Sequence, residues 1–118
     1  MIRKSHELHS FTRSPGIDIQ VLVAPCDMFD AGRLYARITI APGTSMAPHI
    51  HEGETESYYI VSGTCVVTDN GQPATLTAGD VLITADGESH SIANETDTPV
   101  ELIALIVSRQ QGVAGRSV

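Results

Sequence analysis

The sequence predicts an all-β domain, a sandwich or a barrel, on three observations. Short runs of alternating or continuous apolar residues recur along the chain, separated by Gly, Pro, Asn and Asp. No segment sustains a 3.6-residue apolar period. Val, Ile and Thr are frequent, while charged residues make up only 18% of the 118 residues, which disfavours long solvated helices.

The elements follow in order. Residues 1–16 are polar and end in Ser14-Pro15-Gly16, a turn signal; they read as a lead-in. Its two histidines, His6 and His9, lack a carboxylate at fixed spacing and read as surface residues. Ile17 to Val23 is a strand that Pro25 ends, because proline removes a ladder donor. Cys26 to Gly32 is a loop with room for a short turn. Arg33 to Ile40 is the next strand, with Leu34, Ala36, Ile38 and Ile40 on one face and Tyr35, Arg37 and Thr39 on the other. Ala41-Pro42-Gly43 turns the chain and Thr44 to Ala47 leads on. Strands follow at Glu56–Val61 and Thr64–Thr68. Asn70-Gly71 is a strong hairpin signal, and Gln72–Thr77 pairs back across it. Val81–Thr84 and Ser89–Ala93 are short strands. Val100 to Val107 is nearly all apolar and reads as a strand buried on both faces or central in a sheet. Residues 108–118 lose periodicity and read as a frayed tail. The expected organisation is one domain over 17–107 between a lead-in and a tail.

Composition narrows the partners. The net charge of −7, with no basic cluster, argues against nucleic acid. No apolar run is long enough to span a bilayer and the N-terminus has no secretory h-region. The two cysteines, Cys26 and Cys65, form no CxxC pair, and free thiols fit a reducing cytosol. The expectation is a cytoplasmic protein with no membrane and no nucleic-acid partner.

The chemistry concentrates between Gly43 and Gly63, where His49 and His51 are followed by Glu52, Glu54 and Glu56. On a strand, i and i+2 share a side, so His49 and His51 aim one way and Ile50 the other. Glu56 opens the next strand and can fold back beside them. His90, on a later strand, can close the group. Three imidazoles and one carboxylate suit a divalent first-row metal such as Mn, Fe, Co, Ni, Cu or Zn rather than Ca or Mg. A bare His-x-His could equally be a polar surface stripe. Parity from Glu56 sends Tyr58 and Ile60 inward, with Tyr58 read as core rim ahead of a ligand contact. Parity from His90 sends Ile92 inward. Glu52 and Glu54 read as solvated loop charges, ahead of a role as outer partners of the ligands or as part of a lid. Met46 reads as barrel packing, and whether Arg33 or Arg37 reaches the site is open. No nucleophile elbow, P-loop or dinucleotide fingerprint is present.

Gly43-x5-His49-x-His51-x4-Glu56-x6-Gly63 resembles the first motif of the cupin superfamily at every position. Gly79-x5-Ala85-x-Gly87-x2-His90-x3-Asn94 resembles the second, except that Ala85 stands where the family usually has proline, a source of loop stiffness. The short span between the motifs is similar to that of small single-domain microbial cupins of the conserved-barrel type. The resemblance implies a double-stranded β-helix, or jelly-roll, barrel over 17–107. It implies a divalent transition metal (Mn, Fe, Ni or Zn) held by His49, His51, Glu56 and His90, and a homodimer. Gly43, Gly63, Gly79 and Gly87 fall at predicted turns, and Asn94 suits a side-chain-to-backbone bond.

Three functional readings are consistent with this sequence. One is a metal-dependent enzyme acting on a small organic ligand, a carboxylate, sugar or enol, by dioxygenase, isomerase, lyase or decarboxylase chemistry; no catalytic residue is assigned. The second is a metal-dependent binding or sensing module that leaves its ligand unchanged. The third is a metal-free barrel with structural histidines.

Overall fold

The computed structural model describes residues 1–109. Ten antiparallel strands run in chain order: β1 (Ser10–Ser14), β2 (Ile17–Val21), β3 (Gly32–Ile40), β4 (Ser45–Ile50), β5 (Glu54–Ser62), β6 (Thr64–Asp69), β7 (Gln72–Thr77), β8 (Val81–Thr84), β9 (Ser89–Ala93) and β10 (Val100–Ser108). They form two sheets, β1-β2-β3-β10-β5-β8 and β4-β9-β6-β7, that face each other as a jelly roll. The apolar run 100–107 is central in the larger sheet, between β3 and β5, as one of the two readings expected; it is not buried on both faces, since only Val100, Leu102, Ala104 and Ile106 are buried and Val107 is exposed.

The core lies between the sheets. Ile38 and Ile40 from β3, Ile60 from β5, Val67 from β6, Ile92 from β9 and Leu102 from β10 meet there, all buried. Each such side chain contributes about 1.5–3 kcal/mol by leaving water. The predicted inward parity of Tyr58, Ile60 and Ile92 and the packing role of Met46 agree with their burial. Cys26 and Cys65 are free thiols, the first exposed and the second buried.

Turns fall where the sequence places them. Asn70 and Gly71 both take positive φ, as a two-residue hairpin turn requires. Gly63, at φ +86°, has a second constraint: a Cβ there would sit 2.6 Å from the Pro99 carbonyl oxygen.

Three differences from the sequence expectations matter for the site. The lead-in contains β1, which pairs with β2 at one edge of the larger sheet; with Phe11 its one apolar residue, it gave no apolar alternation to read. The segment read as a lead-on to the histidines is strand β4, and His51 lies just past its end. Strand β5 begins at Glu54, two residues earlier than expected, which takes Glu54 out of the loop. The short turn allowed for in the loop is a 3-10 turn at Pro25–Met28, starting one residue before the expected loop. Ser108 still belongs to β10, and residues 110–118 of the expected tail lie outside the described residues.

Candidate metal centre

His49 reaches the interior because β4 is irregular. Ser45 and Met46 oppose Ala93 and Ile92, but His49 and Ile50 oppose His90 and Ser89, so β4 carries one extra residue between Met46 and His49. Strict alternation would put Met46 and His49 on opposite faces. The bulge at Ala47-Pro48 resets the parity, and both face inward. Proline is tolerated there because a bulge needs no ladder donor at that residue. Ile50 points out and is 59% exposed.

His51 follows the strand end, and the loop after it is tied down from outside. Gly87 N–H donates to the His51 carbonyl at 2.8 Å. Gly53 N–H donates to Asp86 Oδ1 at 2.6 Å, and Asp86 also pairs with Arg109. Ala85, at the position where proline is usual, donates its N–H to Glu88 Oε1 at 2.8 Å. A proline could not make that bond, so here the loop is held by hydrogen bonds instead of by a ring. Glu88 also accepts from Asn70 Nδ2 in the β6–β7 turn.

Glu56 and Thr84 face each other across β5 and β8, and His90 lies opposite His49 across β4 and β9. The ligating atoms of His49, His51, Glu56 and His90 all lie within 4.8 Å of one another. His90 Nε2 is 2.8 Å from His49 Nε2 and 3.0 Å from Glu56 Oε1, and His51 Nε2 is 3.0 Å from the same oxygen. The structure therefore gathers all four residues nominated from the sequence.

The other ring nitrogens explain why the four converge. His49 Nδ1 donates to the Ala47 carbonyl at 3.2 Å. His51 Nδ1 donates to Glu54 Oε1 at 2.7 Å. His90 Nδ1 lies 2.8 Å from Thr84 Oγ1, which is fully buried. A carbonyl and a carboxylate can only accept, so the proton sits on Nδ1 of His49 and His51 and the Nε2 lone pairs point into the cluster. Thr84 can accept from His90 in the same way. This is the arrangement that outer partners impose on metal-binding histidines. Burial lowers the pKa of His49, which keeps it the neutral imidazole a metal requires. Three nitrogen donors and one carboxylate oxygen on rigid strands fit a divalent transition metal.

Glu54 is a correction. It is not a solvated loop charge but the acceptor for His51, and it is itself gripped by Arg33, with Nε at 2.8 Å and Nη2 at 2.9 Å. The Arg33 guanidinium, aided by His51 and against the pull of burial, brings the Glu54 carboxyl down to about 2. Arg33 is thus on the site side, and Arg37 is on the outer face with Glu101. Glu52 is exposed, as expected. Thr84 was missed, since a threonine in a strand gives no sign of which residue it serves.

The cluster opens into a cavity of about 300 Å³. Its walls are apolar, with Ile19, Leu34, Ile38 and Ile106. Phe11 and Arg13 of β1 and Arg33 of β3 line it as well. Tyr58 is both core and lining: it is 3% exposed and stacks on the His90 ring at 5.2 Å. Burial and the adjacent Glu56 raise its pKa, so its phenol stays neutral.

A jelly roll with a His-His-Glu-His cluster at its core defines a class of small β-barrel proteins with a candidate metal centre. Residues 36–106 match the Cupin domain family, and the chain belongs to that family. It is 43% identical over 91 residues to the oxalate-binding protein of Thermotoga maritima, covering 77% of this chain and 75% of that one. A crystal structure described as a predicted oxalate decarboxylase from Thermotoga maritima superposes with a TM-score of 0.82 at 38% identity, over 92% of this chain and 99% of that chain. The structure of KdgF from Halomonas sp. superposes with a TM-score of 0.77 at 20% identity, over 92% and 93% of the two chains. That last likeness concerns the fold alone. No helix among the described residues is long and apolar enough to cross a membrane.

Proposed function

We propose that the protein holds a divalent transition metal through Nε2 of His49, His51 and His90 and a carboxylate oxygen of Glu56, and that it binds a small organic carboxylate of the oxalate class there. One observation carries the metal reading: each histidine is tied at Nδ1 to an outer partner, so the three Nε2 atoms and Glu56 Oε1 are aimed at a common point. The likeness to an oxalate-binding protein supports the ligand class.

A bound divalent ion supplies a Lewis acid with coordination positions beyond these four donors. The chain supplies the rest. Glu56 offsets one unit of the ion's charge, so the centre keeps a net attraction for anions. The aliphatic walls exclude water and strengthen every charge interaction at the cavity floor. Tyr58 braces the His90 ring and keeps a neutral hydroxyl near Glu56.

The test is elemental analysis of protein as expressed, beside His49→Ala and His90→Ala variants. The reading expects about one metal per chain in the parent and loss in both variants. Equal content in all three would favour a barrel with structural histidines.

A second reading, a binding module that returns its ligand unchanged, has its own support. Apart from the donor set itself, the cavity lining among the described residues contains no carboxylate or imidazole to move a proton. Incubating the metal-loaded protein with oxalate under air and analysing the products separates the two. Turnover makes it an enzyme; intact oxalate with a raised Tm makes it a binding module. The homodimer implied by the resemblance is proposed with the same site, and a monomeric mass by sedimentation at micromolar concentration would count against it.

A further inference from the structure

We infer that Arg13 is the second anchor of the ligand: a guanidinium at the cavity wall that pairs with a carboxylate other than the one seated on the donor set, making dicarboxylates the preferred class. The inference rests on the proposed metal and carboxylate reading of this site and adds a residue and a charge requirement to it.

Three observations support it. First, Arg13 lines the same cavity as His49, His51 and Glu56, though it comes from the far end of the sheet. Second, its position is set by an irregularity. In the β1–β2 ladder Thr12 opposes Asp18 and Ser14 opposes Ile17, so Arg13 is the extra residue of a bulge. Bulges of this kind re-aim a side chain at the end of a ladder. Phe11, one alternation earlier and opposite the buried Ile19, lines the cavity too.

Third, Arg13 has no anionic partner. Among the described residues, Arg3 pairs with Asp27, Arg33 with Glu54, Arg37 with Glu101 and Arg109 with Asp86. Arg13 has no such carboxylate, in a chain of net charge −7 where carboxylates outnumber cations two to one. Of the two guanidiniums at the cavity, Arg33 is already paired through Nε and Nη2 with the Glu54 carboxylate. Arg13 therefore has its donors available, and a guanidinium fork matches a carboxylate in both geometry and charge. Ile19, Leu34, Ile38 and Ile106 in the same lining offer apolar contact to a ligand's carbon chain. The fit is a short chain with an anionic group at each end.

The experiment is isothermal titration of the metal-loaded protein, its Arg13→Gln variant and its Arg13→Lys variant with oxalate, malonate and succinate, with acetate and propionate as singly charged controls. Metal content and Tm are measured on all three proteins. Arg13 is exposed, so the variants are expected to fold with unchanged metal content. The inference expects Arg13→Gln to weaken the tightest dicarboxylate roughly 10- to 100-fold, with partial recovery in Arg13→Lys and no change for the monocarboxylates. Equal dicarboxylate affinity in parent and Arg13→Gln would overturn the role of Arg13 and leave the carboxylate reading standing. Equal losses for mono- and dicarboxylates would also overturn it, since Arg13 would then act on overall charge and not as a second anchor. If the metal-loaded parent binds none of the five acids, the carboxylate reading itself fails and this inference with it.

Discussion

Glu54 Oε1 accepts from His51 Nδ1 at 2.7 Å while the same carboxylate is clamped by Arg33. An exposed arginine thereby acts through Glu54 on the direction of the His51 Nε2 lone pair. Glu54→Gln keeps the shape and removes the charge. The expected result is a 10- to 100-fold lower metal affinity, the usual cost of losing an outer partner of a metal-binding histidine. Competition with a chelator of known affinity measures it. Unchanged affinity would show that His51 is oriented by the loop backbone alone.

Thr84→Val tests the partner of His90. The substitution preserves shape and leaves a buried Nδ1 without a partner. A stability loss of about 1–3 kcal/mol is expected from thermal or denaturant unfolding of the metal-free protein. If Thr84 only fills space, valine will cost nothing.

Asn94 is 1% exposed and ties the β9–β10 turn to the end of β3. Its Nδ2 donates to the Ile40 carbonyl at 3.0 Å and the Thr98 carbonyl at 2.8 Å, and its Oδ1 accepts from Thr96 N–H at 3.0 Å. Asn94→Ala is expected to cost about 2–4 kcal/mol, because buried backbone groups lose their partners. Chemical denaturation checks this. Metal content should be retained at temperatures where the variant is folded, since Asn94 touches none of the four donors.

The thiols should behave differently. Cys26 is exposed, whereas Cys65 is 1% exposed and burial raises its pKa. A raised thiol pKa leaves less thiolate at neutral pH, and the thiolate is the reactive form. Alkylation of the native protein at neutral pH should add one label, and alkylation in denaturant two, as read by intact mass. Two labels in the native state would mean that β6 opens readily.

Most strand positions were legible because alternation and turn residues agree: Gln72–Thr77, Val81–Thr84 and Ser89–Ala93 occupy the ranges read from the sequence. The nomination of His49, His51, Glu56 and His90 depended on motif spacing more than on parity. Parity alone would fail at β4, where the Ala47-Pro48 bulge interrupts it. Strand β1 was illegible because its residues are all exposed and show no alternation. Glu54 was read only as the less favoured of two roles, and Thr84 not at all, for a different reason. Which histidine a polar side chain serves depends on tertiary packing, and neither residue type announces it. Arg13 combines both difficulties: an unrecognised strand and a bulge within it.

The pairing of His49 with His90 across β4 and β9 has one more consequence. Two of the four donors are cross-strand neighbours, so they meet only when these strands are threaded in the native alignment. A slip of one residue would turn His49 toward solvent and leave His90 facing Ile50. The donor set is thus a readout of correct assembly. A chain with a misaligned smaller sheet would bury its apolar residues poorly and would also be unable to present the full quartet, so ion capture would select for the properly folded population.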